Sequence, residues 1–227
     1  LIEKKKNIIA LVGNSSKIIY KKLVLRKKNL KKISLIEKNR FWEEKKCNNL
    51  YNKKTIGVNC GFNFIIPGSV IKKLKILNLH PAALPINRGC HHSFWGIMNK
   101  TILGATIHWM DKGIDTGPII NRKVFKDDGD MTAEEIQSKS NQMCLELLSE
   151  NIDNIMCGTS KSLIQDKGTY HSKKEIIDAS TIDFNDKIEV RYLYDLCRAT
   201  CNKNNGFIVS KNGKKFLVRI NRIEKID

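Results

Sequence analysis

An amide and an imidazole stand two residues apart in Leu77-Asn78-Leu79-His80-Pro81. If this run is a strand, residues at i and i+2 share a face, so Asn78 and His80 point one way and Leu79 the other. Pro81 offers no amide hydrogen to a ladder and ends the strand. A histidine at a strand end is often a hydrogen-bonded filler, but a second segment argues for chemistry. Trp109-Met110-Asp111-Lys112-Gly113-Ile114-Asp115-Thr116-Gly117-Pro118 is a glycine-punctuated loop with two carboxylates, Asp111 and Asp115. A carboxylate folded back beside His80 would orient the ring and favour its charged form. Amide, imidazole and carboxylate together suit acyl transfer to an amine. The imidazole takes a proton from the attacking nitrogen; the amide and imidazolium steady a tetrahedral oxyanion.

Such a site needs strands that end together. Lys6–Gly13 is a short apolar run closed by glycine and reads as a buried strand. Residues 16–28 read as a basic helix, 33–36 as a second strand, and 37–54 as helix and loop. Ile56–Cys60, Lys75–His80, Gly104–Met110 and Pro118–Phe125 read as strands, with a loop over 61–67 and a helical turn over 68–74. Thr132 and Glu135 form a capping-box pair before a helix carrying Ile136, Met143, Leu147, Leu148 and Ile155 at helical spacing. Residues 187–201 read as a helix with Val190, Leu193, Leu196 and Cys197 on one face. The Asn-Gly at 212–213 predicts a β-hairpin between 207–210 and 215–220. Strands alternating with helices argue for an α/β fold with a doubly wound, mostly parallel sheet, whose ligands sit beyond the carboxyl ends of the strands. A small helix and β-hairpin appendage follows.

The 227 residues suit one such domain with an appendage, and a hydrophobic fraction of 41% can build a core. No apolar run reaches the ~18 residues of a membrane span, and no secretory signal is visible. Seven cysteines without a framework suggest reduced thiols and a cytoplasmic protein. The net charge is +18. It is concentrated in residues 1–54, with 17 Lys/Arg against 4 Asp/Glu, and in 187–227, with 10 against 4. Such ends could attract a polyanion, but they lack interleaved aromatics, so solvated faces are the favoured reading. Cys90-His91-His92 is not spaced to converge on a tetrahedral ion, and no metal is expected.

Asn78-Leu79-His80-Pro81, Leu84-Pro85, Asn87-Arg88-Gly89, Trp95, Gly104-Ala105-Thr106 and Gly113-Ile114-Asp115-Thr116-Gly117-Pro118 together resemble the signature of the folate-dependent formyltransferases. That family includes enzymes acting on glycinamide ribonucleotide, on methionyl-tRNA and on sugar nucleotides. The match is dense over 56–125 and weaker over 1–55. The resemblance implies a Rossmann-like catalytic domain using N10-formyltetrahydrofolate. It places the catalytic trio on Asn78, His80 and Asp115, chosen over Asp111 because it directly precedes Thr116-Gly117-Pro118. It makes His108 a supporting residue or, alternatively, a half-buried strand residue. It puts Phe64, Ile65, Ile66, Met110 and Asp115 against the folate, and Arg88, Gly89, His91 and Trp95 along the acceptor. Ala82 stands where many relatives have Ser, which removes one hydroxyl contact.

The tail motifs Gly168-Thr169-Tyr170-His171, 193–200 and 205–207 are similar to the short tail of the sugar N-formyltransferases. The resemblance therefore implies residues 1–157 as catalytic domain and 158–227 as a C-terminal subdomain. The implied acceptor is a nucleotide-linked amino sugar, most like a dTDP-4-amino-4,6-dideoxyhexose destined for O-antigen or other surface glycan, with a homodimer as the working form. Two alternatives stand beside it: a methionyl-tRNA formyltransferase, and a nucleic-acid-binding protein on an inactive formyltransferase fold.

Overall fold

In the computed structural model, residues 6–12, 30–36, 55–61, 65–201, 206–224 and 226 are described. The helix expected at 16–28, the segment 37–54 and Phe64 lie outside them. Among the described residues three strands come first: β1 Lys6–Val12, β2 Leu30–Ile36 and β3 Thr55–Cys60. The short helix α1 Gly68–Lys73 leads into β4 Lys75–His80. Next come β5 Arg88–Gly89, α2 His92–Met98, β6 Leu103–Trp109 and β7 Ile119–Phe125. The long α3 spans Ala133–Cys157. The remainder holds β8 Tyr170–His171, α4 Glu175–Ala179, β9 Thr181–Asp183, α5 Val190–Thr200, β10 Phe207–Lys211 and β11 Lys214–Val218.

Six strands form one sheet in the order β2-β1-β3-β4-β6-β7. The pairs β1/β2, β1/β3 and β3/β4 are parallel, and β4/β6 is antiparallel. The sheet is therefore mostly parallel, as the alternation of elements predicts. Every residue of β3 and β6 is buried. Their mostly apolar sequences follow, because a central strand covered on both faces has no solvent-facing side; the polar exceptions include Asn59 and His108.

The chain clusters into two compact units, each drawn from three segments. One comprises 1–80, 105–122 and 144–166; the other comprises 81–104, 123–143 and 167–227. The first buries Ile56, Val58, Ile76, Leu77, Leu79, Ala105 and Ile107 of the strands together with Leu147, Leu148, Ile152 and Ile155 of α3. Each of the Val, Ile and Leu side chains among them contributes roughly 1.5–3 kcal/mol of burial. The second unit is built on Phe94, Trp95, Ile97, Leu103, Ile136, Leu196, Ala199 and Phe207. Its hairpin β10/β11 turns at Asn212-Gly213, both with positive φ. The short β9 adds to β10 as a parallel third strand, a pairing too brief to show in the sequence.

Candidate active site

Three strands of the first unit present polar residues side by side. Asn59 of β3 stands opposite Asn78 of β4, and Asn78 stands opposite His108 of β6. Cross-strand partners share a face, so the three form a row. His80 lies two residues further along β4 on the same face. Asn59, Asn78, His80 and His108 are all at most 8% exposed. Buried polar groups are costly unless paired, and here the pairing is specific.

His108 Nδ1 lies 2.9 Å from the Trp109 carbonyl. A carbonyl only accepts, so Nδ1 carries a hydrogen, and in that neutral tautomer Nε2 is an acceptor. Asn78 Nδ2 donates to that Nε2 at 2.9 Å. At the other end of the amide, Asn59 Nδ2 donates to Asn78 Oδ1 at 2.8 Å. The amide of Asn78 is thus oriented from both sides. Its second hydrogen reaches Asp115 Oδ1 at 3.0 Å. The other oxygen of Asp115 is 3.5 Å from His80 Nδ1. Asn78, His80, His108 and Asp115 therefore meet, although Asp115 lies 37 residues beyond Asn78.

Asp115 is delivered by the loop 110–118. The Trp109 amide donates to the Pro118 carbonyl at 2.9 Å and closes the loop's neck. Inside, Asp111 Oδ1 accepts from the Gly113 amide at 3.0 Å and the Thr116 hydroxyl at 2.6 Å. Asp111 is thus a loop-closing residue. Gly117 must lack a side chain, because a Cβ would stand 1.8 Å from the Trp109 carbonyl. Asp115 itself has φ 55°, a left-handed conformation that Asp tolerates better than most residues.

Among the residues expected to touch folate, Ile66 is buried, Met110 is partly buried and Ile65 is 87% exposed. Phe64 lies outside the described residues. Arg88, Gly89, His91 and Trp95 belong to the second unit. Arg88 and Gly89 pair with Tyr170 and His171. Trp95 stacks on His171 with ring centroids 4.0 Å apart. Gly89, at φ 89°, could carry no Cβ, which would fall 2.3 Å from the His171 carbonyl. His91 precedes α2 in a left-handed conformation. Two residues escaped the sequence reading. Asn59 had a signal, an amide inside the apolar run 55–60. Gln165, whose Nε2 donates to the carbonyls of Asp115 at 2.9 Å and Gly117 at 2.7 Å, had none.

The buried Cys60 and Cys144 do not serve as nucleophiles. Burial pushes the Cys144 thiol up to about 12, a backbone hydrogen bond at Thr106 acting the other way. Burial, with Cys144 nearby, raises Cys60 as well. Such thiols stay protonated and unreactive. What the site can do is hold an oxygen on Asn78 and move a proton through His80 under the control of Asp115.

The model of the formyl transferase family matches residues 2–152 of the sequence. A dTDP-4-amino-4,6-dideoxyglucose formyltransferase of Mycobacterium tuberculosis is 27% identical over 158 residues, 68% of this chain and 67% of its own. A methionyl-tRNA formyltransferase of Rickettsia rickettsii also matches, over 50% of this chain and 40% of its own. A 4-N formyltransferase of Francisella tularensis superposes with a TM-score of 0.83 at 23% identity, covering 99% of this chain and 100% of that one. An N-formyltransferase of Helicobacter canadensis, solved with folinic acid and dTDP-3-aminofucose, superposes with a TM-score of 0.69 at 24% identity over 92% of this chain and 85% of that one.

Proposed function

Because the chain belongs to the formyl transferase family, we propose that it transfers a formyl group from N10-formyltetrahydrofolate to the amine of a nucleotide-linked amino sugar, most like a dTDP-4-amino-4,6-dideoxyhexose. The observation that carries this reading is the convergence of Asn78, His80 and Asp115 at the end of β4, with Asn78 Nδ2 3.0 Å from Asp115 Oδ1. The relatives that act on or bind dTDP-sugars support the acceptor class.

The donor set fits a formyl folate: an amide donor for one oxygen, an imidazole for one proton, a carboxylate to steer the imidazole. The co-substrate supplies a formyl carbon whose departing nitrogen needs a proton. Asn78 Nδ2 donates to the formyl oxygen as negative charge gathers there. One of its hydrogens is tied to His108 Nε2, so the one aimed at Asp115 is the one that turns to the oxygen. His80 accepts the proton of the attacking amine, and Asp115 beside Nδ1 steadies the resulting imidazolium. His80 or Asp115 then returns a proton to the leaving nitrogen, giving a formamide and tetrahydrofolate.

Residues 1–157 as catalytic domain and 158–227 as C-terminal subdomain, Ile65, Ile66 and Met110 against folate, and Arg88, Gly89, His91 and Trp95 along the acceptor are parts of the same proposal. So are a cytoplasmic location, a role in O-antigen or similar glycan synthesis, and a homodimer. The dimer draws support from Tyr192, Leu193, Tyr194, Phe216 and Leu217 of the second unit, each 38–52% exposed. Light scattering should return twice the chain mass of 26.0 kDa.

The direct test is an acceptor screen with N10-formyltetrahydrofolate, reading formamide by mass. Nucleotide-linked 4-amino and 3-amino sugars are set against methionyl-tRNA. Formylation of an amino sugar is expected. Formylation of the tRNA alone would overturn the acceptor, and no product with any amine would overturn the reaction.

A further inference from the structure

The carboxylate of Asp115 sits on a loop, and loops are the softest supports a protein has. This one is held at its neck by Trp109 and Pro118 and internally by Asp111. Neither tie is made to the backbone of Asp115, whose φ of 55° is strained for a non-glycine residue even where Asp tolerates it better than most. A further tie, made to the backbone of Asp115 itself, comes from far along the chain. The carbonyls of Asp115 and Gly117 converge on one nitrogen, Gln165 Nε2, at 2.9 Å and 2.7 Å. A primary amide has two hydrogens on one nitrogen, so it satisfies two carbonyls at once, without charge. Glutamate, of the same size, has none to offer when ionised.

Gln165 is itself held in register. Two residues earlier, Leu163 bridges Ile119 in antiparallel fashion, each amide donating to the other's carbonyl at 2.8 Å. Ile119 is two residues past Gly117. The segment after α3 therefore runs along the exit of the catalytic loop, its backbone gripping the strand and its Gln165 amide gripping the loop.

We propose that Gln165 is a positioning residue for the formyl transfer, acting through the backbone of Asp115 to hold its carboxylate between Asn78 and His80. This rests on the proposed function for its kinetic consequence, not for its structural one. Gln165→Leu keeps bulk and removes both donors; Gln165→Glu keeps shape and sets a carboxylate against two carbonyls. In either variant, amide hydrogen exchange over 112–117 should rise at least about tenfold, while exchange across β3 and β4 stays as in the unaltered protein. Turnover should fall about 10- to 100-fold with KM for the amine acceptor changed little, and the pH–rate profile should shift as the carboxylate loses its place beside His80. Combined with Asp115→Asn, Gln165→Leu should add no further loss. Unaltered loop exchange in both variants would overturn the inference whatever the activity. So would full turnover in Gln165→Leu, or a loss that adds to that of Asp115→Asn. An unaltered protein inactive on every amine would instead strike the proposed reaction, and the exchange result would still decide the role of Gln165.

Discussion

His80 is buried and Asp115 partly buried, with side chains 7% and 13% exposed, and in the proposed transfer both handle the proton. Asp115→Asn keeps the size and removes the charge, and His80→Asn keeps a polar amide while removing the imidazole, so each takes away the acid–base function proposed for its residue. His80→Asn and Asp115→Asn should each lower turnover by ~10²–10⁴ with an unchanged circular dichroism spectrum; near-normal turnover in both would defeat the assignment. Asn59 acts one step further back, because its Nδ2 determines which way the Asn78 amide faces. Asn59→Leu leaves Asn78 Oδ1 buried without that donor, which costs about 1–3 kcal/mol and loosens the amide. Turnover should fall with KM for the acceptor little changed, and urea unfolding should report the lost stability. An enzyme with wild-type turnover would show that His108 orients Asn78 alone.

The elements behave as their local patterns dictate wherever one face meets one environment. Thr132 and Glu135 make the reciprocal bonds of a capping box: the Thr132 amide and hydroxyl donate to Glu135, whose own amide donates to Thr132 Oγ1. Helix α5 departs from its pattern. Val190 is 83% exposed and Leu193 38%, while Asp195, Leu196, Arg198 and Ala199 are buried. Its inward face is rotated toward two charged residues, because they pair and can be buried together. At the start of α2, His91 carries a pH signature. Burial first, then the charge of Lys173, holds its pKa below the ordinary 6.5. As pH falls below about 6.5, the unfolded chain takes the proton before the folded one, so stability drops. His91→Asn, which tolerates the left-handed φ of 57°, should lose less Tm between about pH 7 and about pH 5.5 than the unaltered protein. An equal loss would place the acid sensitivity elsewhere.

At the scale of the molecule, stability depends on ties between distant segments. Arg198 of α5 donates Nε to Asp195 Oδ1 at 2.9 Å, and Nη1 to Asp127 Oδ2 and to the Met131 carbonyl at 2.8 Å. Burial opposes its charge, but Asp127 and Asp195 more than offset this and raise its pKa. Arg198→Met would leave two carboxylates, each 11% exposed, without their cation. The expected cost is about 3–5 kcal/mol in urea unfolding, partly restored by adding Asp127→Asn. A change under about 1 kcal/mol would show the cluster to be surface-like. Among the described residues no helix is long and apolar enough to cross a membrane.

Much of this was legible in the chain itself. Alternation, the stop at Pro81 and the Asn-Gly turn mark β4, its paired Asn78 and His80, and the hairpin, since each depends on neighbours within a few residues. The residue types around 78–118 also marked the chemistry. The family resemblance already points to Asp115 over Asp111 and to His108 as a supporting residue; Asn59 behind Asn78 and Gln165 beneath the loop waited on the fold. Those partners lie 19 to 50 residues apart, and nothing local encodes them. They are chosen by strand register and by the requirement that each polar group taken out of water find another, which only the assembled sheet can decide.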